Sequence, residues 1–333
     1  MTTATSDTVA TDWPITFDDV RAAHARIKSY LPPTPLRHYP RLGELLGGDI
    51  SIFVKHENHQ PTNSFKIRNG LSFMTSLTPD ERRRGVVGAS TGNHGQGLAF
   101  GGKLLGVETT ICVPVGNNPE KNAAMCALGA KVVEEGKDYD EALANAYRLV
   151  ADGRVLSHST NDPRILAGAA TMTLEIVEQD PHLDAIIIAV GGGSQAVGAM
   201  TVARALAPNL EVYGVQAAGA SAIHDSWHAN TRLTTDRADT FAEGVATRTT
   251  YDLTFPALRA GLAGFVTVTD AEIAESLRTI VSETHNLVEG AGAMGYAGVG
   301  KLRDQLAGKR VGVIFCGGNI DTATLRRVLS KEL

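Results

Sequence analysis

An α/β fold built on open parallel sheets is predicted for this 333-residue chain from three observations. Short apolar runs alternate with helix-period stretches from end to end, most of the runs are continuous rather than alternating, and helix-start signals recur between them. Continuous β-branched runs fit strands buried on both faces, which parallel sheets covered by helices require. Regular alternation of strand and helix then implies the α/β class. At this length the chain forms one large domain or two lobes sharing a continuous core.

The strands predicted in chain order are SIFVK (51–55), VVGAS (86–90), TTICVP (109–114), AKVVE (130–134), AIIIAV (185–190), EVYGVQ (211–216) and RVGVIF (310–315). Between them Thr16 with Asp19, Thr78 with Glu81 and Thr269 with Glu272 have capping-box spacing, and Pro79 takes the first helical position of the second. Segments 139–151, 163–179 and 270–285 carry apolar residues at helical spacing. No internal repeat, low-complexity tract or Pro/Ser-rich linker divides the chain into independent domains. The opening MTTATSDTVATDWP, rich in Thr, Ser, Ala and Asp, reads as a short disordered tail over 1–14.

Composition excludes several partners. The formal net charge of −5 argues against general polyanion binding, which needs many clustered Lys and Arg. The one basic cluster, Glu81-Arg82-Arg83-Arg84, reads as the solvated end of a helix, so no nucleic-acid partner is expected. No segment offers ~18 consecutive apolar residues, so no membrane span is expected. The first residues lack the basic-then-apolar order of a secretory signal. Cys112, Cys126 and Cys316 show no CxxC or metal-finger spacing, and an odd count without a framework fits a reducing compartment. A cytoplasmic protein is expected. Glycine, at 35 residues, exceeds the usual ~7%, which points to tight turns or backbone close to a ligand.

Four segments carry chemistry. In KHENHQPTNSFKIRNG (55–70), Lys66 follows Ser64-Phe65 among polar turn residues. Alone it reads as a surface lysine, but in a desolvated site near other cations a lysine loses its proton and forms imines. In GASTGNHGQGLA (88–99) a strand ends in a small-residue turn before a helix, whose free N–H groups suit a carboxylate. Asn93 adds a donor and an acceptor there, and His94 reads as either a structural histidine or a base. In AIIIAVGGGSQAVGAM (185–200) an apolar strand runs into Gly191-Gly192-Gly193-Ser194-Gln195 and a helix, which makes a phosphate cradle. Glycines at 191, 193 and 198 do not give the G-x-G-x-x-G dinucleotide fingerprint, and no Gly-Lys-Ser/Thr of a Walker loop follows. In VGVIFCGGNID (311–321) another strand ends at Cys316, two glycines and Asn319; taken alone, Cys316 is a buried small hydrophobe.

In this order, from Pro32-Pro33-Thr34-Pro35-Leu36 to Asn319, the segments resemble the serine/threonine dehydratase and serine racemase family of pyridoxal-phosphate enzymes, the tryptophan-synthase-β fold group. The resemblance implies a two-lobed fold, with residues 1–84 plus 163–333 forming a large cofactor-binding domain and 85–162 a small mobile one. It implies pyridoxal 5'-phosphate as cofactor and Lys66 as the Schiff-base lysine, with Phe65 packed against the ring. Asn93 would bond the ring hydroxyl, and Ser90, Thr91, Asn93 and His94 would hold the substrate carboxylate. Gly191, Gly192, Gly193, Ser194 and Gln195 would wrap the phosphate, and Cys316 would face the ring nitrogen. Asn161 would line the site, and Glu289 matches an acidic residue near the cofactor. A homodimer or higher homo-oligomer is also implied.

The sequence departs from the family pattern at five places. Asn63 replaces the glycine usual before Ser-Phe-Lys, and Asn69-Gly70 replaces Gly-Ala. Ser194 interrupts the four-glycine cradle, and Ala169-Ala170 stand where Gln-Gly is usual. Gln216 and Ala222 occupy the positions of a metal-binding glutamate and aspartate, so no metal is expected. Thr91 also stands where racemases place a serine opposite the lysine. The reaction implied is α,β-elimination of a β-hydroxy amino acid such as threonine, serine or 3-hydroxyaspartate to a 2-oxo acid and ammonia, with Lys66 taking the α-proton. A racemase, a β-replacement enzyme or a threonine-synthase-like lyase of the same fold is the alternative. Segment 217–250, with His224, Trp227, Arg232, Arg237 and Arg248, is expected to line or cover the side-chain end of the site, each arginine reading as a surface residue or as a binder of an acidic substrate.

Overall fold

Residues 13–333 are described by a computed structural model with two sheets. The larger is assembled from β1 (Leu36–His38), β2 (Ser51–Lys55), β7 (Ala185–Ala189), β8 (Glu211–Ala217), β9 (Gly264–Val268) and β10 (Arg310–Ile314). Its order is β1-β2-β10-β7-β8-β9, and only the β1–β2 pairing is antiparallel. The smaller is all parallel and falls wholly within Val86–Leu156, as β3 (Val86–Ala89), β4 (Thr109–Val113), β5 (Lys131–Glu134) and β6 (Val155–Leu156) in the order β5-β4-β3-β6. The seven strands predicted as apolar runs are all strands. The three not predicted are two or three residues long (β6, β1) or the alternating GFVTV of β9, whose pattern offers no continuous run.

All three capping boxes form, at Thr16–Asp19, Thr78–Glu81 and Thr269–Glu272, so each satisfies two otherwise unpaired N–H groups at its helix start. Helices Tyr139–Ala151 and Pro163–Gln179 fall on the predicted segments, and Asp270–Thr284 ends where His285 turns left-handed at φ 54°. Of the tail expected at 1–14, residues 1–12 lie outside the described residues. Trp13 corrects that expectation at its end: its indole N–H donates to Thr201 Oγ1 at 2.8 Å, and Arg204 lies over its ring at 4.2 Å. A tryptophan has enough apolar area to dock a chain end that composition alone reads as polar. Among the described residues no helix is long and apolar enough to cross a membrane.

The two sheets meet through helices. Helix Lys66–Ser76 crosses helix Asn93–Leu105 at glycine contacts, since a Cβ at Gly97 would stand 2.4 Å from the Lys66 carbonyl oxygen and one at Gly70 2.3 Å from that of Gly97. Strands β3, β7 and β10 therefore direct their C-terminal ends at one crevice. In parallel α/β sheets ligands bind at such ends, where loops lead into helix N-termini.

Candidate active site

A cavity of about 500 Å³ opens at those strand ends, within the range of small-molecule sites. Lys66 lies in its wall. Asn63, just before it in the chain, has φ 52°, a left-handed conformation that glycine adopts freely and asparagine tolerates, so the departure from glycine costs little there. The backbone then pairs Ser64 with Gly317, and Phe65 N–H donates to the Cys316 carbonyl at 3.0 Å, which fixes Lys66 beside Cys316. Lys66 Nζ makes one hydrogen bond, 3.3 Å to the Ser159 carbonyl, and lies 5.1 Å from the Phe65 ring centre. Burial pushes its pKa down to about 8, against the opposing pull of Cys316 and Glu289. About a tenth is then the neutral amine at pH 7, far more than for an ordinary lysine.

The turn after β3 forms the second wall. Ser90 Oγ accepts from the backbone N–H of Gly92 (3.1 Å) and Gly95 (2.9 Å), so it shapes the turn from below and does not line the cavity. Thr91, Asn93 and His94 do line it. Asn93 Nδ2 donates to Glu289 Oε1 at 2.8 Å, and its Oδ1 accepts from Asn319 Nδ2 at 2.7 Å. Burial raises the Glu289 carboxyl above its usual range, offset in part by Asn93. His94 resolves to the structural reading. Burial drives its pKa to about 3, Lys66 adds to that, and a ring nitrogen donates to the Ser157 carbonyl at 3.3 Å, so it is a neutral ring unsuited to accept a proton at neutral pH.

Gly191 to Gln195 form the third wall. Gly193 has φ 93° and caps helix Ser194–Leu206, whose N-terminus faces the cavity. A Cβ on Gly192 would sit 2.1 Å from Thr160 Oγ1, and one on Gly191 2.9 Å from the Gly244 carbonyl oxygen, so no larger residue fits either position. Thr254 Oγ1 donates to the Gly192 carbonyl at 2.7 Å, which keeps that oxygen turned away from an anion. Gln195 is buried, and its Oε1 has no partner within the protein. Cys316 faces the same space; burial and Glu289 both raise its thiol, so it is uncharged. A glycine cradle at a helix start, a lysine amine with a single long hydrogen bond and a neutral thiol fit a phosphorylated aromatic aldehyde held by a lysine.

A family model described as pyridoxal-phosphate dependent enzyme matches residues 27–317. The chain belongs to that family. L-threonine ammonia-lyase of Thermotoga maritima is 35% identical over 320 residues, covering 96% of this chain and 79% of that one. The processed form of threonine deaminase isoform 2 from Solanum lycopersicum superposes with a TM-score of 0.89 at 30% identity, over 94% of this chain and 87% of its own. Serine racemase from Dictyostelium discoideum superposes at 0.86 and 32%, over 92% and 99%. The two-sheet architecture is thus the fold expected from the resemblance, and the cofactor of this pyridoxal-phosphate enzyme is the one expected.

Not every expected residue of the pyridoxal-phosphate enzyme reaches the cavity. Asn161 does not line it; its Oδ1 accepts from the Leu253 backbone N–H at 3.3 Å, so it ties two loops together. Segment 217–250 contributes Glu243 to Thr247, whereas His224, Trp227, Arg232, Arg237 and Arg248 are not in the lining. His224 and Trp227 pack on Phe265, and Arg232 pairs with Asp252 at the surface. Gln216 is buried, with Oε1 accepting from His224 N–H at 2.9 Å and Nε2 donating to Thr247 Oγ1 at 3.4 Å. Among the described residues no group of three His, Cys, Asp or Glu side chains could hold a metal ion. Sequence reasoning missed Lys121, Tyr139, Ser159 and Tyr251, all in the lining. None belongs to a glycine-rich turn, and only the tertiary fold brings them to the strand ends.

Proposed function

We propose that this chain is an ammonia-lyase that eliminates the β-hydroxyl of a small amino acid such as threonine, serine or 3-hydroxyaspartate and yields a 2-oxo acid and ammonia. The observation that carries the reading is Lys66: a lysine with a single long hydrogen bond and a lowered pKa, at the wall of a cavity that also holds a glycine cradle. When bound, pyridoxal phosphate stores the electron pair left on the substrate α-carbon. Lys66 Nζ would hold the cofactor and, as a neutral amine, would take the substrate α-proton. The backbone of Gly191 to Gln195 would hold the phosphate, and Thr91 with the N–H groups opening helix Asn93–Leu105 would hold the substrate carboxylate. Asn93 would donate to the ring hydroxyl, Phe65 would pack on the ring, and Cys316, an uncharged thiol, would face its nitrogen without protonating it.

The small lobe in this reading is 85–162, carrying the four-stranded sheet, and it closes on substrate to exclude water. The Lys121–Glu243 and Arg248–Asp138 ion pairs link it to the loop between β8 and β9. The reading includes assembly into a homodimer or a higher homo-oligomer, which light scattering on the purified protein tests. Lys66→Ala is expected to abolish both the visible absorbance of lysine-bound cofactor and the release of 2-oxo acid. A purified Lys66→Ala protein that keeps both would overturn the assignment. A racemase reading draws on the Thr91 hydroxyl in the cavity lining and on the similarity to a serine racemase. Product analysis on a panel of β-hydroxy amino acids separates the two, since elimination gives 2-oxo acid and racemisation gives D-amino acid.

A further inference from the structure

The Asn93 side chain sits on the helix that connects β3 and β4 of the small sheet, yet both ends of its carboxamide are bonded to residues that follow strands of, or pack on, the large one. The oxygen and nitrogen of such a group are nearly interchangeable in shape, so its partners decide which way it points. Here the decision starts at Thr62, whose backbone carbonyl can only accept. Asn319 Nδ2 donates to it at 2.9 Å, and Asn319 Oδ1 accepts from Asn63 Nδ2 at 3.3 Å. Asn319 therefore presents its second N–H to Asn93, at 2.7 Å, and the Asn93 atom facing it must be the oxygen. Asn93 Nδ2 is then directed to Glu289 Oε1, which takes one of its two hydrogens. Glu289 is itself held by its backbone N–H on the Gly317 carbonyl at 2.9 Å and by close contact with Gly317, where a Cβ would stand 2.6 Å from Oε1.

We propose that Asn319 is a positioning residue that fixes the orientation of the Asn93 carboxamide, so that the remaining Asn93 N–H faces the cavity as a donor to the cofactor's ring hydroxyl. Asn319 does not touch the cofactor in this arrangement; it acts through Asn93. The inference rests on the reading that Lys66 binds pyridoxal phosphate here. Asn319→Asp keeps the shape but offers only acceptors to Asn93, whose carboxamide then turns its nitrogen to the new carboxylate and its oxygen to Glu289. The second N–H moves with the nitrogen to the side of that carboxylate and no longer points at the ring hydroxyl.

The experiment measures cofactor dissociation by dialysis of the holoenzyme, together with the absorbance maximum of the lysine-bound cofactor and its dependence on pH. Asn319→Asp is expected to weaken cofactor binding about tenfold, the effect of one hydrogen bond, and to reproduce the spectral change of Asn93→Ala. Asn319→Ala removes the donor without imposing the flip and is expected to move both readouts the same way by less. Because Asn319 is only half-buried, that variant keeps the test open if the aspartate disturbs folding. In an Asn93→Ala background neither substitution should have a further effect, since both act through the missing side chain. A wild-type spectrum and affinity in Asn319→Asp, or effects that add to those of Asn93→Ala, would overturn the proposal. Absence of lysine-bound cofactor in the unsubstituted protein would instead overturn the reading beneath it.

Discussion

Lys55 and Lys66 lie eleven positions apart, Lys55 fully buried and Lys66 half-buried on the cavity wall, and both have pKa values lowered first by burial. Their surroundings differ in what is left over. Lys55 Nζ spends all three donors, on the Thr34 carbonyl (2.8 Å), Glu175 Oε2 (2.7 Å) and Gln179 Oε1 (3.0 Å). Lys66 Nζ spends one, on the Ser159 carbonyl. Glu175 holds the charge on Lys55 against burial, whereas the cation-favouring groups near Lys66 are a neutral thiol and a carboxyl that burial disfavours as an anion. Burial alone therefore does not make a lysine reactive. A lysine becomes a candidate nucleophile when burial is combined with unsatisfied donors on a cavity.

The two lysines are mechanically connected. Arg68, two residues beyond Lys66, is buried and directs all of its N–H groups inward: Nε and Nη2 to Glu57, Nη1 and Nη2 to Glu175, and Nη1 to Thr171, at 2.6 to 3.3 Å. Lys55 and Arg68 against Glu57 and Glu175 make a cluster of zero net charge. Burial would raise the Glu57 carboxyl, but Arg68, with Lys55 and the Thr34 hydroxyl, more than reverses that and holds it below its usual range. The saturated cluster anchors the start of the helix that carries the unsaturated lysine.

The largest expected effect comes from breaking the saturated side. Glu175→Ala leaves Lys55 and Arg68 each short of an anion in a dry interior, which is expected to cost about 3–5 kcal/mol. Urea denaturation measures it. Lys66→Ala removes a desolvated amine with one weak bond and is expected to leave stability within about 0.5 kcal/mol of the parent when both are compared without cofactor. Equal losses in the two variants would erase the distinction between a structural and a reactive lysine.

The middle effect is on pH. With a pKa of about 8, Lys66 is protonated in acid and free to bond an aldehyde in base. Trapping pyridoxal phosphate on the cofactor-free protein by reduction, followed by peptide mapping, should therefore rise roughly tenfold per pH unit from 6 and level off above about 8. The label should fall on Lys66 and not on Lys55, whose donors are all occupied. Label on Lys55 in the folded protein, or a midpoint near 10 for Lys66, would contradict the contrast drawn from the two environments.

Sequence made the lysine proposed to hold the cofactor visible, through the segments around it, and left the structural cluster hidden, for a physical reason. The segments around Lys66, Asn93, Gly191–Gln195 and Cys316 are strand-to-helix turns, and such turns write their chemistry in contiguous small and polar residues. Most strands were legible because burial on both faces makes them continuous apolar runs, and β9 was not because it alternates. The ionic cluster joins positions 55, 57, 68 and 175, and its partners across up to 120 residues leave no local pattern. Lys121, Tyr139 and Tyr251 likewise reach the cavity only through tertiary packing. Asn161 was expected in the cavity because its neighbours His158 to Pro163 match a family segment, yet a hydrogen bond to the Leu253 backbone directs its side chain elsewhere.

The smallest expected effect sharpens what is meant by the one bond of Lys66. Its acceptor is the backbone carbonyl of Ser159, while the Ser159 hydroxyl lies 3.3 Å from Tyr139 Oη. Burial raises the Tyr139 phenol, which keeps it protonated at neutral pH. Tyr139→Phe removes the phenol–hydroxyl contact and leaves the carbonyl where it is. The expected loss is about 0.5–1.5 kcal/mol, that of an ordinary hydrogen bond, with the absorbance of the lysine-bound cofactor unchanged. If the phenylalanine variant instead alters that absorbance, Ser159 transmits the phenol's influence to Lys66. The amine would then be held by a network, as Lys55 is, rather than by one carbonyl.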